Sequence, residues 1–324
     1  MHLIHSRFVV SIAAAFLGAI ASGALAQAYP ARPVRLVVAA PPGGGTDAMG
    51  RVMAQRLSER LGQPFVVENR GGGGGSVGTD AVVKAPPDGY TLLMTNDQLI
   101  TYQAISKPAY DAVRDLTAVG LIGRAVVVVG VNASFPAKSV SDLVALARAE
   151  PGKYSYSSCG SGTPVHLAGE LLNLAAHINL THIPYRGCGP ALVDGVSGQV
   201  PVLFNMLGNV LPFDKSGKIR LLAIAAPHRL PAFPAIPTIA EAGFPGFEAF
   251  PWYGIFAPAA LPGDILARLN AEISTGVATP EVADRIRAMQ FEPQAAGPEK
   301  FAEMVRVDLA RWMRVVRDAK VKAD

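Results

Sequence analysis

The sequence has little charge, few cysteines and no basic cluster. Only 17% of its 324 residues are charged and 50% are apolar, which excludes intrinsic disorder and, at this length, predicts two domains. The formal net charge is only +4 and no run of Lys or Arg occurs, so nucleic acid is not expected as a partner. After Leu25 no segment has 18 uninterrupted apolar residues, so no membrane-spanning helix is expected beyond it.

The N-terminus has the pattern of a secretory signal peptide. A short segment containing Arg7 is followed by an apolar run from Phe8 to Leu25 and by small residues that end at Ala26. We interpret residues 1–26 as a signal peptide that is cleaved near Ala26, and an uncleaved membrane anchor is the alternative. The mature protein is therefore expected to be exported and soluble.

The two cysteines are Cys159 and Cys188. In an oxidising compartment they can form a disulfide, which would close a loop of about 30 residues and contribute roughly 3–4 kcal/mol in the chain-entropy model. Two buried thiols that never meet are the other interpretation, and these observations leave both open.

Apolar runs that are typical of buried strands alternate with amphipathic helical segments. The first run, 34–40, precedes a glycine-rich loop and a helix for which Thr46 and Asp47 are candidate N-caps. Later helices are predicted to begin with a capping box at Ser139 and with a proline at Pro164. This alternation predicts an α/β fold with two mostly parallel sheets flanked by helices, in which ligands bind at the carboxyl ends of the strands.

The long glycine run, 71–75, produces two motif matches that we interpret as accidental. One is a dinucleotide-binding fingerprint at Gly73, Gly75 and Gly78, but the following helix is too short for that unit. The other is a nucleophile elbow around Ser76, although five glycines separate this serine from the preceding strand. A secreted serine hydrolase that uses Ser76 is kept as the alternative function. No histidine spacing indicates a metal site, and no cofactor is expected.

Two other loops have the composition of anion-binding sites. Residues 41–47 and 157–163 are rich in Gly, Ser and Thr, and each precedes a predicted helix. A helix N-terminus offers free backbone N–H groups and about half a positive charge, so two such loops across a cleft would hold a small carboxylate. Ordinary helix capping is the alternative interpretation of both loops.

These loops belong to a series of short motifs, which in order are YPxRPVR (29–35), PGGGTD (42–47), ENRG (68–71), PDGYTLL (87–93), GSGT with HLAGE (160–170), PYRG (184–187), PTIAEAG (237–243) and WYGIFAP (252–258). The series extends over essentially the whole mature chain. It resembles the Bug-type extracytoplasmic solute receptors, which are the substrate-binding proteins of tripartite tricarboxylate transporters.

The resemblance implies a periplasmic-binding-protein-like fold with the ligand cleft between two α/β domains. Residues 27–127 plus 251–324 would form the first domain and residues 128–250 the second. Such receptors are periplasmic, perform no chemistry and pass carboxylates, amino acids or aromatic acids to a membrane permease. We therefore expect a monomer that is not an enzyme and whose ligand is a small organic acid or an amino acid.

The resemblance also implies most of the site residues, which are Gly43, Gly44, Gly45, Thr46, Asp47, Asn96, Asp97, Gly160, Ser161, Gly162, Thr163, Tyr185 and Asn205. Ser158 is added because its hydroxyl is a further donor in the second loop. Gln98 is expected beside them. Asn205 departs from the Asp that is common in the family, which removes one negative charge from the expected pocket. Cys159 and Cys188 would lie on loops that flank the same cleft, which favours the disulfide. His166 is expected to pack or cap its helix, and Arg186 either binds a carboxylate or is solvated.

Overall fold

The computed structural model describes residues 29–322, so the predicted signal peptide lies outside the described residues. The strands and helices form two groups, each built around one sheet. The first group contains β1 (Val34–Val38), α1 (Gly45–Leu61), β2 (Phe65–Asn69), a 3₁₀ turn (Gly73–Gly75), α2 (Ser76–Val83), β3 (Thr91–Asn96), α3 (Gln98–Ser106), β4 (Leu116–Ala125), β10 (Trp252–Pro258), α8 (Gly263–Ala278), α9 (Pro280–Ala288), β11 (Phe291–Ala296) and α10 (Pro298–Asp318). The second contains β5 (Val127–Asn132), α4 (Val140–Ala149), β6 (Ser155–Ser158), α5 (Pro164–Ala176), β7 (Thr181–Pro184), α6 (Cys188–Ser197), β8 (Val202–Met206), α7 (Leu207–Lys215) and β9 (Ile219–Ile224).

Each group forms one sheet, with strand order β11-β4-β10-β3-β1-β2 in the first and β7-β6-β8-β5-β9 in the second. The predicted α/β class is confirmed, but the sheets are mixed rather than mostly parallel. In the first, β1 pairs in parallel with β2 and β3, whereas β10 is antiparallel to β3 and β4. In the second, β6 pairs in parallel with β7 and β8, whereas β5 is antiparallel to β8 and β9.

Two of the antiparallel strands, β5 and β10, adjoin the crossings between the sheets. Strand β4 runs directly into β5 of the second sheet, and β10 returns the chain to the first. Helix α10 then packs against α3 of the first group and α5 of the second. Strand β5 starts at Val127, one residue before the domain boundary that the sequence suggests. The boundaries at 127/128 and 250/251 stay predictions.

Local sequence signals mark several helix starts. The Ser139 side chain accepts a hydrogen bond from the Asp142 N–H, as the predicted capping box requires. Thr163 caps α5 and Pro164 is its first residue. In α1, by contrast, the N-cap is Gly44 rather than Thr46 or Asp47. The expectation was wrong because the helix includes the glycine that precedes these polar residues.

None of the helices within residues 29–322 is long and apolar enough to cross a membrane.

Candidate functional site

The first glycine-rich loop connects β1 to α1 at the carboxyl edge of the first sheet. Gly43 and Gly44 are exposed, Gly45 is half-buried and Thr46 is buried. Gly43 has a φ of +86°, which favours glycine because a side chain would be strained there. Since α1 begins at Gly45, the backbone N–H groups of its first turn have no partner in the preceding helical turn and are available to an anion.

Asp47 faces its own loop. Its Oδ2 accepts hydrogen bonds from the Gly43 N–H at 2.9 Å and from Arg51 at 3.0 Å, and its Oδ1 accepts one from Asn69 at 2.9 Å. Burial alone would raise the pKa of this carboxyl, but the hydrogen bonds from Arg51, Gly43 and Asn69 lower it. Asp47 is therefore ionised, and its hydrogen bonds stabilise the conformation of the loop.

The second loop connects β6 to α5. Thr163 Oγ1 donates to the Gly160 carbonyl at 2.7 Å and accepts from the His166 N–H at 3.3 Å. The hydroxyl of Ser158 is fully buried and lies 2.7 Å from Nε2 of His182. These two predicted donors are therefore used within their own domain, whereas Ser161 and Gly162 line a cavity between the domains.

This interdomain cavity has a volume of about 400 Å³ and is lined by Gly73, Gly74, Gln98, Tyr102, Ile105, Ser106, Ser161 and Gly162. Asn96 connects it to the first loop, because its Nδ2 donates to Thr46 Oγ1 at 3.2 Å and its Oδ1 accepts from the Gln98 N–H at 2.9 Å. Thr46, Asn96, Gln98 and the second loop are thus brought to one region of the cleft. No lining residue is charged.

Several lining residues were missed from the sequence. The glycine run had been dismissed as a source of false motifs, yet Gly73 and Gly74 line the cavity. A Cβ atom on Gly74 would lie 2.4 Å from Cδ2 of Tyr102, so glycine is needed for the close approach of α3. Tyr102 was recognisable in principle, because it follows Gln98 by one helical turn on α3.

A second cavity, of about 340 Å³, lies further along the cleft between Leu207, Leu230 and Phe233 on one side and Arg287 and Phe291 on the other. The Phe291 ring abuts Gly45, where a Cβ atom would lie 2.7 Å from its Cζ. None of the predicted site residues lines this cavity, so we place the candidate site in the first one.

Of the fourteen predicted site residues, Ser161 and Gly162 line that cavity and the other twelve do not. Three of these twelve have their side chains held elsewhere in the protein. Tyr185 donates its hydroxyl proton to Asp194 on α6. Asn205 is fully buried, its Nδ2 donates to the Cys188 carbonyl at 3.1 Å, and its Oδ1 accepts from Asn209 at 3.0 Å. Asp97 is only 2% exposed and occupies the N-cap position of α3, but its side chain makes no capping hydrogen bond. Asn205 and Asp97 support the cleft from within the protein.

Cys159 and Cys188 are joined by a disulfide in the structure. It connects the second loop to the first residue of α6, and the Gly187 N–H also donates to the Cys159 carbonyl at 3.2 Å. The bond therefore ties one wall of the cleft to the neighbouring helix.

Replacing Asp97 by asparagine should stabilise the protein at alkaline pH. Burial and the nearby Asp308 carboxylate raise the pKa of the Asp97 carboxyl well above its usual value. Because the folded-state pKa exceeds the unfolded one, this group lowers stability as pH rises from about 4 through the folded pKa. We expect D97N to gain stability over wild type with rising pH, by at most about 1.4 kcal/mol per pH unit.

Urea unfolding between pH 4 and 9 measures this difference. Asp115→Asn is the control, since the hydrogen bond from Arg114 lowers the pKa of Asp115 and the variant should lose the same amount of stability, relative to wild type, at every pH above about 5. A D97N difference that is constant across the range would show that the pKa of Asp97 is the same in the folded and unfolded states.

Comparison with known proteins identifies the family. The family model described as "Tripartite tricarboxylate transporter family receptor" matches residues 49–321. Protein BugT of Bordetella pertussis is 36% identical over 325 residues, which cover 99% of each chain. Both findings support the receptor and not the serine hydrolase that was kept as the alternative.

Solved structures agree. The structure titled R. palustris Rpa4515 with adipate has a TM-score of 0.78 and 33% identity, covering 91% of this chain and 99% of that one. MatC from Rhodopseudomonas palustris with bound malate has a TM-score of 0.74 and 33% identity, covering 89% and 100%. The fold is that of a periplasmic binding protein, and the chain is a solute receptor rather than an enzyme. It belongs to the receptor family of the tripartite tricarboxylate transporters.

Proposed function

We propose that this chain is an exported receptor that binds a small carboxylate in the cleft between its two domains and delivers it to a membrane permease. The observation that carries the proposal is the 400 Å³ cavity, which is lined by Ser161 and Gly162 of the second loop and is connected through Asn96 to Thr46 of the first. Both loops lead into helix N-termini, which favour negative charge.

The neutral lining of the cavity determines how the anion is held. Without a lysine or arginine in the wall, backbone N–H groups and neutral side chains such as Gln98 would hold the carboxylate. Hydrogen bonds to an ionised acceptor are about twice as strong as those between neutral groups, so a few of them fix the carboxylate in place. The domains would close on the ligand by a hinge motion at the crossing strands.

The route and the partner are part of the same proposal. The signal sequence at residues 1–26 would send the protein to the periplasm and be cleaved near Ala26. The receptor would act as a monomer and meet a permease of the tripartite tricarboxylate transporter type. The relatives with adipate and malate suggest dicarboxylates as the first acids to test.

A thermal-shift screen of the mature chain tests the function. The panel is adipate, malate, citrate, benzoate and glutamate, each up to 10 mM. An acid at about 100 times its Kd adds about 2.7 kcal/mol to the stability, which moves the melting temperature by several degrees. Stabilisation by at least one acid is expected. If none stabilises the protein while an ester is hydrolysed in a manner that depends on Ser76, the receptor function is wrong.

Replacing Gly162 by alanine should weaken carboxylate binding. Gly162 has a φ of +73°, and a Cβ atom there would lie 2.8 Å from Cδ1 of Ile105, which belongs to the opposite domain. The backbone strain costs roughly 1–2 kcal/mol of stability. The obstruction of closure should raise the Kd about tenfold, measured by isothermal titration calorimetry with the best acid of the panel.

Gly217→Ala is the matched control. Gly217 has a similar φ of +69°, but nothing lies within 4 Å of a Cβ atom placed there. The Gly217→Ala variant should lose about as much stability as Gly162→Ala and should keep the wild-type Kd. Equal affinities for both variants would mean that Gly162 does not lie where the domains close.

A further inference from the structure

The two anion-binding loops are built in the same way. In each, a glycine with positive φ lies two residues before the first helical residue, and its N–H donates to the side chain four residues later. Gly43 donates to Oδ2 of Asp47 at 2.9 Å, and Gly162 donates to Nδ1 of His166 at 2.9 Å. Asp47 and His166 are both the third residue of their helix.

The two acceptors differ in charge. Asp47 is ionised, and the 3.0 Å ion pair with Arg51 and the hydrogen bond from Asn69 offset its charge. Nδ1 of His166 accepts a hydrogen bond from the Gly162 N–H, so the ring is the neutral tautomer with its proton on Nε2. Burial and the neighbouring His182 lower the pKa of His166 to about 3.

The surroundings hold the His166 ring in this orientation. It stacks on the His182 ring with centroids 3.7 Å apart and an interplanar angle of 9°. Its Nε2 lies 3.8 Å from Oε1 of Glu170, which accepts a 2.6 Å hydrogen bond from the Tyr156 hydroxyl. Burial raises the pKa of the Glu170 carboxyl. The ring therefore cannot turn without losing its contacts with the second loop, with β7 and with Glu170 of α5.

We propose that His166 is a positioning residue for carboxylate binding, which fixes the second loop through the Gly162 N–H without adding a negative charge to the cleft. The inference rests on the proposed function. The first loop carries its own arginine next to its aspartate, whereas the groups that face His166 are His182, Glu170, Tyr156 and the Ser158 hydroxyl that bonds His182. Within residues 29–322 no arginine pairs with the side chain at this position, so an ionised carboxylate here would keep its charge and repel the ligand.

Three substitutions distinguish the effect of a hydrogen-bond acceptor at position 166 from the effect of a negative charge there. Asp47 shows that a side-chain oxygen on the third helical residue reaches the glycine N–H, so H166N and H166D should both keep the hydrogen bond. H166L has similar bulk and no acceptor. The readouts are the Kd for adipate and malate by isothermal titration calorimetry, the melting temperature without ligand, and the hydrogen-exchange protection of the Gly162 amide.

We expect H166N to bind within about threefold of wild type and to protect the Gly162 amide. H166L should lose that protection and bind at least tenfold more weakly. H166D should keep the protection but bind at least tenfold more weakly, with a Kd that improves as the pH falls toward 4 or as salt rises. If H166D fails to fold, the comparison of H166N with H166L still decides whether the acceptor matters.

Equal Kd values for H166N and H166L, with only the melting temperature changed, would overturn the inference, because His166 would then be merely structural. A folded H166D that binds like H166N would overturn the part concerning charge. If wild type binds neither acid, the amide protection still tests the positioning of Gly162, and the screen described above tests the function separately.

Discussion

Replacing Arg124 by methionine is expected to lower the free energy of unfolding by about 3–5 kcal/mol. Arg124 is the penultimate residue of β4, where the chain crosses between the domains, and it is only 5% exposed. Its guanidinium donates to the Phe250 carbonyl at 2.7 Å and to Glu248 at 3.0 Å. Asp97 and Asp308 are close enough to influence its pKa. The substitution therefore leaves buried carboxylates without their compensating charge.

Urea unfolding at pH 7.5 measures the loss, and Arg60→Met is the control. Arg60 makes a 3.0 Å ion pair with Glu272, but its side chain is 51% exposed, so we expect a loss below about 1 kcal/mol. Adding D97N to R124M should recover part of the stability. A loss below 1 kcal/mol for R124M itself would show that the buried charges at the crossing are not coupled.

Replacing both cysteines by serine is expected to destabilise the protein by roughly 3–4 kcal/mol. Cys159 and Cys188 are separated by 29 residues, and releasing a loop of this length restores that much chain entropy to the unfolded state. Because the bond holds the second loop against α6, we also expect weaker carboxylate binding, by about threefold to tenfold. Chemical unfolding and calorimetry measure the two effects.

Treating wild type with a reductant is the matching control, because it should reproduce both effects without changing a residue. If the double variant and reduced wild type are as stable as the oxidised protein, the two thiols are not bridged in solution.

Much of the architecture follows from local patterns. The continuous apolar run of β1 predicts a strand that is covered on both sides. In the structure Leu36 and Val37 of this strand are fully buried. The signals at Ser139 and Pro164 predict the starts of two helices because capping acts over three or four residues. Both candidate anion-binding loops are predicted to precede helices, and the structure places them directly before α1 and α5.

The features that the sequence did not predict depend on contacts between distant segments of the chain. The direction of β10 depends on where the chain crosses between the sheets, which no local pattern records. The polar residues after a strand could face ligand or protein, and Asp97 and Asn205 turn inward because Arg124 and the Cys188 carbonyl lie there. Glycine is needed at position 74 because the Tyr102 ring, 28 residues away in the chain, packs against it.

The distance between the two domains, measured with and without ligand, tests the central claim most directly. Val77 on α2 and Val193 on α6 are 54% and 65% exposed, and no free cysteine occurs within residues 29–322. Spin labels on V77C and V193C therefore report the opening of the cleft by pulsed electron resonance. We expect the acid that stabilises the protein most to shift the distances into one shorter population. A stabilising acid that leaves the distribution unchanged would contradict binding between closing domains.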